Sequence, residues 1–105
     1  MAKKGSTTSP LRILVLDILK PHKPDLVDFS KLICKNPTVE IVNMSVDEID
    51  EKTESVKMVL EGKDINFGAI KGLIEEHGGV IHSIDKVVTG KKEIVPVPKL
   101  ADDKY

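Results

Sequence analysis

The sequence has little of what many functional sites require. Its 105 residues include one cysteine, no tryptophan, two phenylalanines and one tyrosine. The single cysteine, Cys34, excludes an intramolecular disulfide and is typical of a reducing compartment, so we expect a cytoplasmic protein. No apolar run reaches the roughly 18 residues that a membrane span requires. The net charge of −1 gives no field that would favour nucleic acid or an anionic membrane as a partner.

The most apolar stretch of the chain is Leu11–Lys20, with four leucines, two isoleucines and one valine in ten residues. Apolar side chains occupy odd and even positions alike, which is typical of a central strand with both faces covered. Pro21 follows at once, and a buried helix fits such a run less well. Because the odd side includes the carboxylate of Asp17, we assign the even positions to the face that packs on helices: Leu14, Leu16 and Ile18.

The other elements follow from hydrophobic periodicity and from turn signals. We predict a helix over 24–35, strands over 38–49 and 53–63 with a tight turn at 50–52, a second helix from the N-cap Asp64 to Gly78, and a strand over 80–90. Gly68 and Gly72 lie inside the second helix, where each costs about 1 kcal/mol relative to alanine. We interpret them as small residues that let this helix pack closely against the sheet or the first helix.

The order βαββαβ, with right-handed crossovers and one hairpin, predicts a ferredoxin-like α+β sandwich. Its antiparallel sheet has the strand order 4-1-3-2, and both helices lie on one face. The other face carries apolar side chains: Ile13, Val15, Leu19 and Val59. A single chain would leave that face wet, so we expect a further layer or a second chain to cover it. We expect residues 1–10 to be disordered, residues 11–93 to form the domain, and residues 94–105 to be a tail suited to docking as an extended arm.

Four polar residues interrupt the apolar strands and are candidates for ligand binding: Asp17, His22, His82 and Asp85. The first and last strands are antiparallel neighbours, so we expect His22 and His82 to approach one another, with Asp17 opposite a residue near Ser83. Two imidazoles and one or two carboxylates suit a borderline metal or a small anion. The alternative is that His82 and Asp85 are hydrogen-bond partners between strands or between subunits.

The predicted hairpin has an acidic tip, in which Asp47, Asp50 and Glu54 are candidate ligands for Ca²⁺ or Mg²⁺. Hard cations prefer such oxygen ligands, but the spacing matches no EF-hand loop. The alternative is a solvated acidic tip that pairs with lysines of a neighbouring subunit.

Three segments resemble a small archaeal family of unknown function: LVLDILKPH (Leu14–His22), VDEIDEKTE (Val46–Glu54) and GGVIHSIDKVVTG (Gly78–Gly90). The third segment is the most specific, because it combines thirteen matching positions. The resemblance covers about residues 11–93 and implies a ferredoxin-like domain that assembles into ring-like homo-oligomers. It implies no activity.

Two functional hypotheses follow. The first is a non-enzymatic binding or regulatory module that forms a homo-oligomer larger than a dimer and holds a small molecule or ion between subunits. The second is a metal-dependent enzyme that uses His22, His82 and nearby carboxylates. The first is favoured, because the sequence shows no convincing nucleophile or base. An RNA-recognition surface would need aromatic side chains on the first and third strands, and these strands have none.

Overall fold

A computed structural model describes residues 9–92 of the chain. The elements are β1 (Leu11–Pro21), α1 (Leu26–Cys34), β2 (Ile41–Ile49), β3 (Thr53–Glu61), α2 (Phe67–Glu76) and β4 (Val80–Thr89). The four strands form one antiparallel sheet in the order β2-β3-β1-β4. The predicted ferredoxin-like topology is therefore confirmed, with β1 in the interior of the sheet.

The main core lies between the sheet and the two helices. The even positions of β1 face the helices as predicted, and they pack with buried residues of the helices and of β3. The largest members of this core are Leu14, Leu16, Ile18, Phe29, Ile33, Met58, Leu60, Ile70 and Ile74. Each such side chain contributes roughly 1.5–3 kcal/mol through removal of apolar surface from water.

Two local interpretations of α2 were wrong. Its N-cap is Asn66, whose side chain accepts a hydrogen bond from the Ala69 backbone N–H at 3.0 Å. Asp64 instead accepts from the Leu11 backbone N–H at 3.2 Å, so its carboxylate fastens the start of β1. A Cβ atom added at Gly72 would meet nothing within 4 Å, and one at Gly68 would meet only the Asn66 side chain at 3.6 Å. These glycines therefore do not serve close packing within the described chain.

The sheet face opposite the helices, which we call the open face, contains a small apolar cluster that is buried within the single chain. Ile13 and Val15 are each 3% exposed and Val59 is 6% exposed, and they form a second apolar cluster with Val88. The expectation that a monomer would leave these three residues wet was therefore wrong. Leu19, on the same face of β1, is exposed as expected.

The β1–β4 pairing contains three register shifts, and each one skips a polar residue. The partners pass from Leu11/Thr89 to Ile13/Val88, from Val15/Lys86 to Leu16/Ile84, and from Asp17/Ser83 to Ile18/Ile81. The skipped residues are Arg12, Asp85 and His82. A β-bulge leaves the extra residue out of the ladder and re-aims its side chain, so all three polar groups leave the regular alternation of the sheet.

The ends of the chain fall outside the described residues, which include only Ser9 and Pro10 of the segment predicted to be disordered, and none of the predicted tail at 94–105. Pro10 accepts a hydrogen bond from the Gly90 backbone N–H at 3.0 Å, so it lies against the end of β4. Among residues 9–92, no helix is long and apolar enough to cross a membrane.

Replacement of Gly72 by alanine should raise the free energy of unfolding by about 0.5–1 kcal/mol. The substitution removes backbone freedom from the unfolded chain and meets no neighbour in the helix. Gly62→Ala is the matched control, because its Cβ would lie 2.2 Å from the Thr38 carbonyl oxygen and should destabilise the protein. Urea titrations of both variants measure the two effects, and a destabilised Gly72→Ala variant would contradict the description of an open site.

Candidate functional site

A group of polar side chains lies at the centre of the open face, and we call it the open-face cluster: Asp17, Lys57, Ser83 and Asp85. Asp17 on β1 lies between its Cα partners Lys57 on β3 and Ser83 on β4. The position of Asp17 opposite Ser83 confirms the sequence prediction. The Lys57 ammonium donates a hydrogen bond to Asp85, and the Ser83 hydroxyl donates to the other oxygen of that carboxylate at 2.7 Å. The ammonium therefore reaches across β1 and joins β3 to β4.

Electrostatic effects within the open-face cluster favour the charged forms. The hydrogen bond from Lys57 lowers the pKa of Asp85, and the hydrogen bond from Ser83 lowers it further. The same contact raises the pKa of Lys57, to which the negative charges of Asp17 and Asp47 also contribute. About one third of the Lys57 and Asp85 side chains remains exposed, so water and salt screen this pair.

His82 and Asp85 are both bulge residues of the edge strand β4, and both are exposed. His82 also lowers the pKa of Asp85, and this effect is smaller than the effects of Lys57 and Ser83. Regular alternation would put these two residues on opposite faces of the strand, but the bulges remove that restriction. The edge strand β4 therefore carries an exposed imidazole and an exposed carboxylate at neighbouring bulges.

A second polar group, which we call the strand-end network, links Lys20, His22 and Glu54 where β1 ends and β3 begins. The Lys20 ammonium donates to Glu54 at 3.3 Å and to the Pro21 carbonyl oxygen at 2.9 Å. It also lies 5.6 Å from the centre of the Phe29 ring, within range of a cation–π contact. Lys20 is 1% exposed, so these contacts compensate for the burial of its charge.

His22 joins the strand-end network to the hairpin turn. One ring nitrogen lies 3.1 Å from the Glu54 carboxylate, and the other lies 3.0 Å from the Glu51 carbonyl oxygen. Both neighbours are acceptors, and only the doubly protonated imidazolium can donate to both. The Glu54 hydrogen bond is the main reason that the pKa of His22 is raised, and the Glu51 carbonyl adds to it. The reciprocal contact lowers the pKa of Glu54.

The structure separates the two histidines that the sequence predicted to meet. His82 lies between the positions that pair with Asp17 and Ile18. His22 is four positions beyond Ile18, which corresponds to about 13 Å along a strand. The polar contacts of His22 to described residues go to Glu54 and Glu51 on the hairpin side. The expected approach of His22 and His82 was therefore wrong.

The hairpin forms where it was predicted, and the Asp50 backbone N–H donates to the Thr53 carbonyl oxygen at 2.8 Å. Asp47 is a bulge residue of β2, and Asp50 is exposed in the turn. Glu54 pairs with Lys20 and His22. In the part of the chain that the structure describes, no three His, Cys, Asp or Glu side chains come together as a metal site. The Ca²⁺ or Mg²⁺ site of the tip therefore stays a prediction from the sequence.

Sequence reasoning missed two lysines. Lys20 is the cation of the strand-end network, and Lys57 is the cation of the open-face cluster. Lys20 continues the even positions of β1, so alternation alone would have placed it on the helix face. Lys57 lies opposite Asp17 in the predicted strand order, and that pairing was the available signal.

Replacement of Glu54 by glutamine should lower the pKa of His22 towards its ordinary value, because it removes the charged acceptor. An NMR titration of the His22 ring in both proteins measures the change.

Because the pKa of His22 is raised in the folded protein, its contacts contribute stability that is fully present below the ordinary histidine pKa. That contribution disappears as the pH rises through the raised value. Wild type should therefore lose melting temperature relative to His22→Gln as the pH rises from about 6 to 8.5. Parallel pH profiles would contradict the assignment.

Truncation of Glu54 to alanine should lower the free energy of unfolding by roughly 1–3 kcal/mol. It leaves the buried Lys20 ammonium without its anionic partner. Glu51→Ala is the matched control, because Glu51 is exposed and contributes its backbone carbonyl to His22 rather than its side chain. This control should stay within about 0.5 kcal/mol of wild type. Equal losses in both variants, measured by urea denaturation, would show that the buried ammonium does not depend on Glu54.

The sequence was compared with known families and proteins. The model of the family DUF211, described as uncharacterised ArCR, matches residues 12–104. An uncharacterised protein of Methanocaldococcus jannaschii is 47% identical over 87 residues, which cover 83% of this chain and 90% of that protein. The match spans all six elements of the fold. The chain therefore belongs to DUF211, an archaeal family whose function is not established.

Proposed function

We propose that this protein is a non-enzymatic module that assembles into a homo-oligomer larger than a dimer, and that it binds a small molecule or ion where subunits meet. A ring is the assembly that the sequence resemblance implies. A cytoplasmic location belongs to the same proposal, since one cysteine suits a reducing compartment.

The observation that carries the proposal is the character of the two sheet edges. Among residues 9–92, β2 and β4 each pair with one neighbouring strand, so they are the two edge strands of the described sheet, and edge strands are the usual places where another chain adds a strand. Ile41 and Ile49 on β2, and Ile84 and Val87 on β4, are each more than half exposed. Long edges with exposed apolar side chains favour pairing with another chain.

The two edges differ, and this difference favours a closed assembly over a dimer. Beside β2, a shallow groove of about 450 Å³ separates the edge from α1, and it is lined by Leu26, Val27, Ser30, Ile41, Val42, Asn43 and Met44. β4 instead lies beside α2 and carries the bulges at His82 and Asp85. When the β4 edge of one chain meets the β2 edge of the next, the contact is heterologous. Repetition of such a contact closes into a ring if the rotation allows it.

A ligand site at this contact would use residues from two chains. His82 and Asp85 belong to the β4 edge, and Asp47 is the bulge residue of β2, the opposite edge. Imidazole and carboxylate groups together suit a borderline metal ion or a small polar molecule. We do not extend the proposal to a metal-dependent enzyme with His22, because that imidazole already contacts Glu54 and Glu51.

Light scattering after size-exclusion chromatography tests the assembly. Wild type at micromolar concentration should give a mass of at least three times the 11.5 kDa chain. Val87→Asp and Ile41→Asp should each reduce that mass and keep the fold, because these side chains are exposed in the single chain. Lys23→Asp is the control, since Lys23 is exposed and follows an interior strand.

A single 11.5 kDa species in wild type would overturn the proposal. An unchanged assembly in both edge variants would exclude the edges as the contact. Ile13→Asp is a weaker test of assembly, because Ile13 is buried within its own chain and a charge there would destabilise the fold.

A further inference from the structure

Three cationic side chains lie around one pocket at the end of the sheet where β1 begins. A pocket of about 320 Å³ opens there, and the described residues that line it are Pro10, Arg12, Lys63 and Lys91. They come from the start of β1, the loop after β3 and the segment after β4. Three cationic side chains from three parts of the chain therefore share one concave site.

Arg12 is the only arginine in the sequence, and the structure fixes its orientation. It is the bulge residue of β1, so its side chain leaves the regular alternation of the strand. Its Nε donates to the Gly62 carbonyl oxygen at 3.2 Å, and its Nη1 donates to the carbonyl oxygens of Lys92 at 2.8 Å and Gly90 at 3.5 Å. These bonds hold the guanidinium plane at the pocket before any ligand arrives.

The guanidinium keeps hydrogen-bonding capacity for an external acceptor. Arginine has five N–H donors, and the three bonds from Arg12 within residues 9–92 use its Nε and Nη1, so the donors that these bonds leave are those of Nη2. Those bonds go to carbonyl oxygens, which carry no formal charge. The nearby Asp64 carboxylate accepts from the Leu11 backbone N–H. An anion in the pocket would therefore meet the N–H donors of an Nη2 atom whose guanidinium is already oriented.

The number of positive charges indicates the class of anion. Arg12, Lys63 and Lys91 line one pocket, and each attracts an anion placed there in proportion to the charge of that anion. A phosphate group carries nearly two negative charges at neutral pH and accepts charge-assisted hydrogen bonds from arginine. The lysines supply point charges that suit the remaining phosphate oxygens.

We propose that this pocket binds a phosphate group, either as inorganic phosphate or as the head of a small phosphomonoester. Its volume is near the lower end for ligand pockets, which suits a small body on the phosphate. The site lies within one chain, so it does not depend on self-assembly.

The test is a titration of the isotope-labelled protein with sodium phosphate at pH 7.5, with ionic strength held constant by sodium chloride. Saturable NMR shifts are expected at the Arg12 Nε and at the backbone N–H groups of Lys63 and Lys91. Lys63→Gln and Lys91→Gln should each weaken binding about fivefold, since each removes one charge next to the anion. Lys71→Gln is the matched control on the exposed side of α2 and should bind as wild type does.

Arg12→Lys keeps the charge but removes the guanidinium that three backbone carbonyl groups orient towards the pocket, so it should bind phosphate more weakly than wild type. If that variant fails to fold, the two lysine variants still decide the matter. Glycerol phosphate distinguishes the two sources: tighter binding than inorganic phosphate supports an ester ligand, and equal binding supports the free ion. Linear shifts without saturation, or equal weakening in Lys71→Gln, would overturn the proposal and indicate general screening.

Discussion

Coverage of β1 on both faces is the constraint on which the rest of the structure depends. Its even side packs under the helices and its odd side contributes Ile13 and Val15 to the second cluster, so few positions along it can hold a polar group. Each polar side chain on this strand is accompanied by a specific arrangement. Asp17 lies beside Lys57, Lys20 pairs with Glu54, and Arg12 donates to three backbone carbonyl groups. The polar groups considered above are thus organised by one apolar strand.

The sequence predicted what periodicity and connection rules control. Alternation and turn signals located the six elements, and right-handed crossovers left one strand order for the sheet. Asp17 opposite Ser83 followed from that order. The acidic turn at Asp50 formed where it was expected, because Asp, Glu and Lys are depleted in strands and the segment interrupts the alternation on both sides.

The remaining errors have a common physical origin in interactions distant along the chain. Bulges depend on how two strands fit together, so nothing local marked Arg12, His82 and Asp85 as residues outside the ladder. Asp64 satisfies the usual N-cap preference, but its carboxylate accepts a hydrogen bond from the Leu11 backbone N–H, 53 positions away. The buried Lys20 ammonium is stabilised by two contacts together, an ion pair with Glu54 and a cation–π contact with Phe29. His22 was placed near the wrong neighbour because strand length alone does not give the register.

Charge is distributed unevenly over a molecule that is almost neutral overall. Carboxylates concentrate at the hairpin turn, and Arg12, Lys63 and Lys91 gather at the opposite end of β1. The net charge of −1 hid this separation, because a sum over the chain carries no positional information. Local charge within a pocket, rather than the total, determines which small ions are attracted to it.

The bulges of β4 also bear on how the protein avoids aggregation. A flat edge strand accepts further strands without limit, which is the geometry of fibrils. Two bulges within ten residues increase the local twist of this edge and leave charged and polar side chains projecting from it. Such an edge fits a partner strand of matching curvature and disfavours the flat stacking of many copies. The bulges at His82 and Asp85 thereby protect β4, an exposed strand rich in valine and isoleucine, from uncontrolled polymerisation.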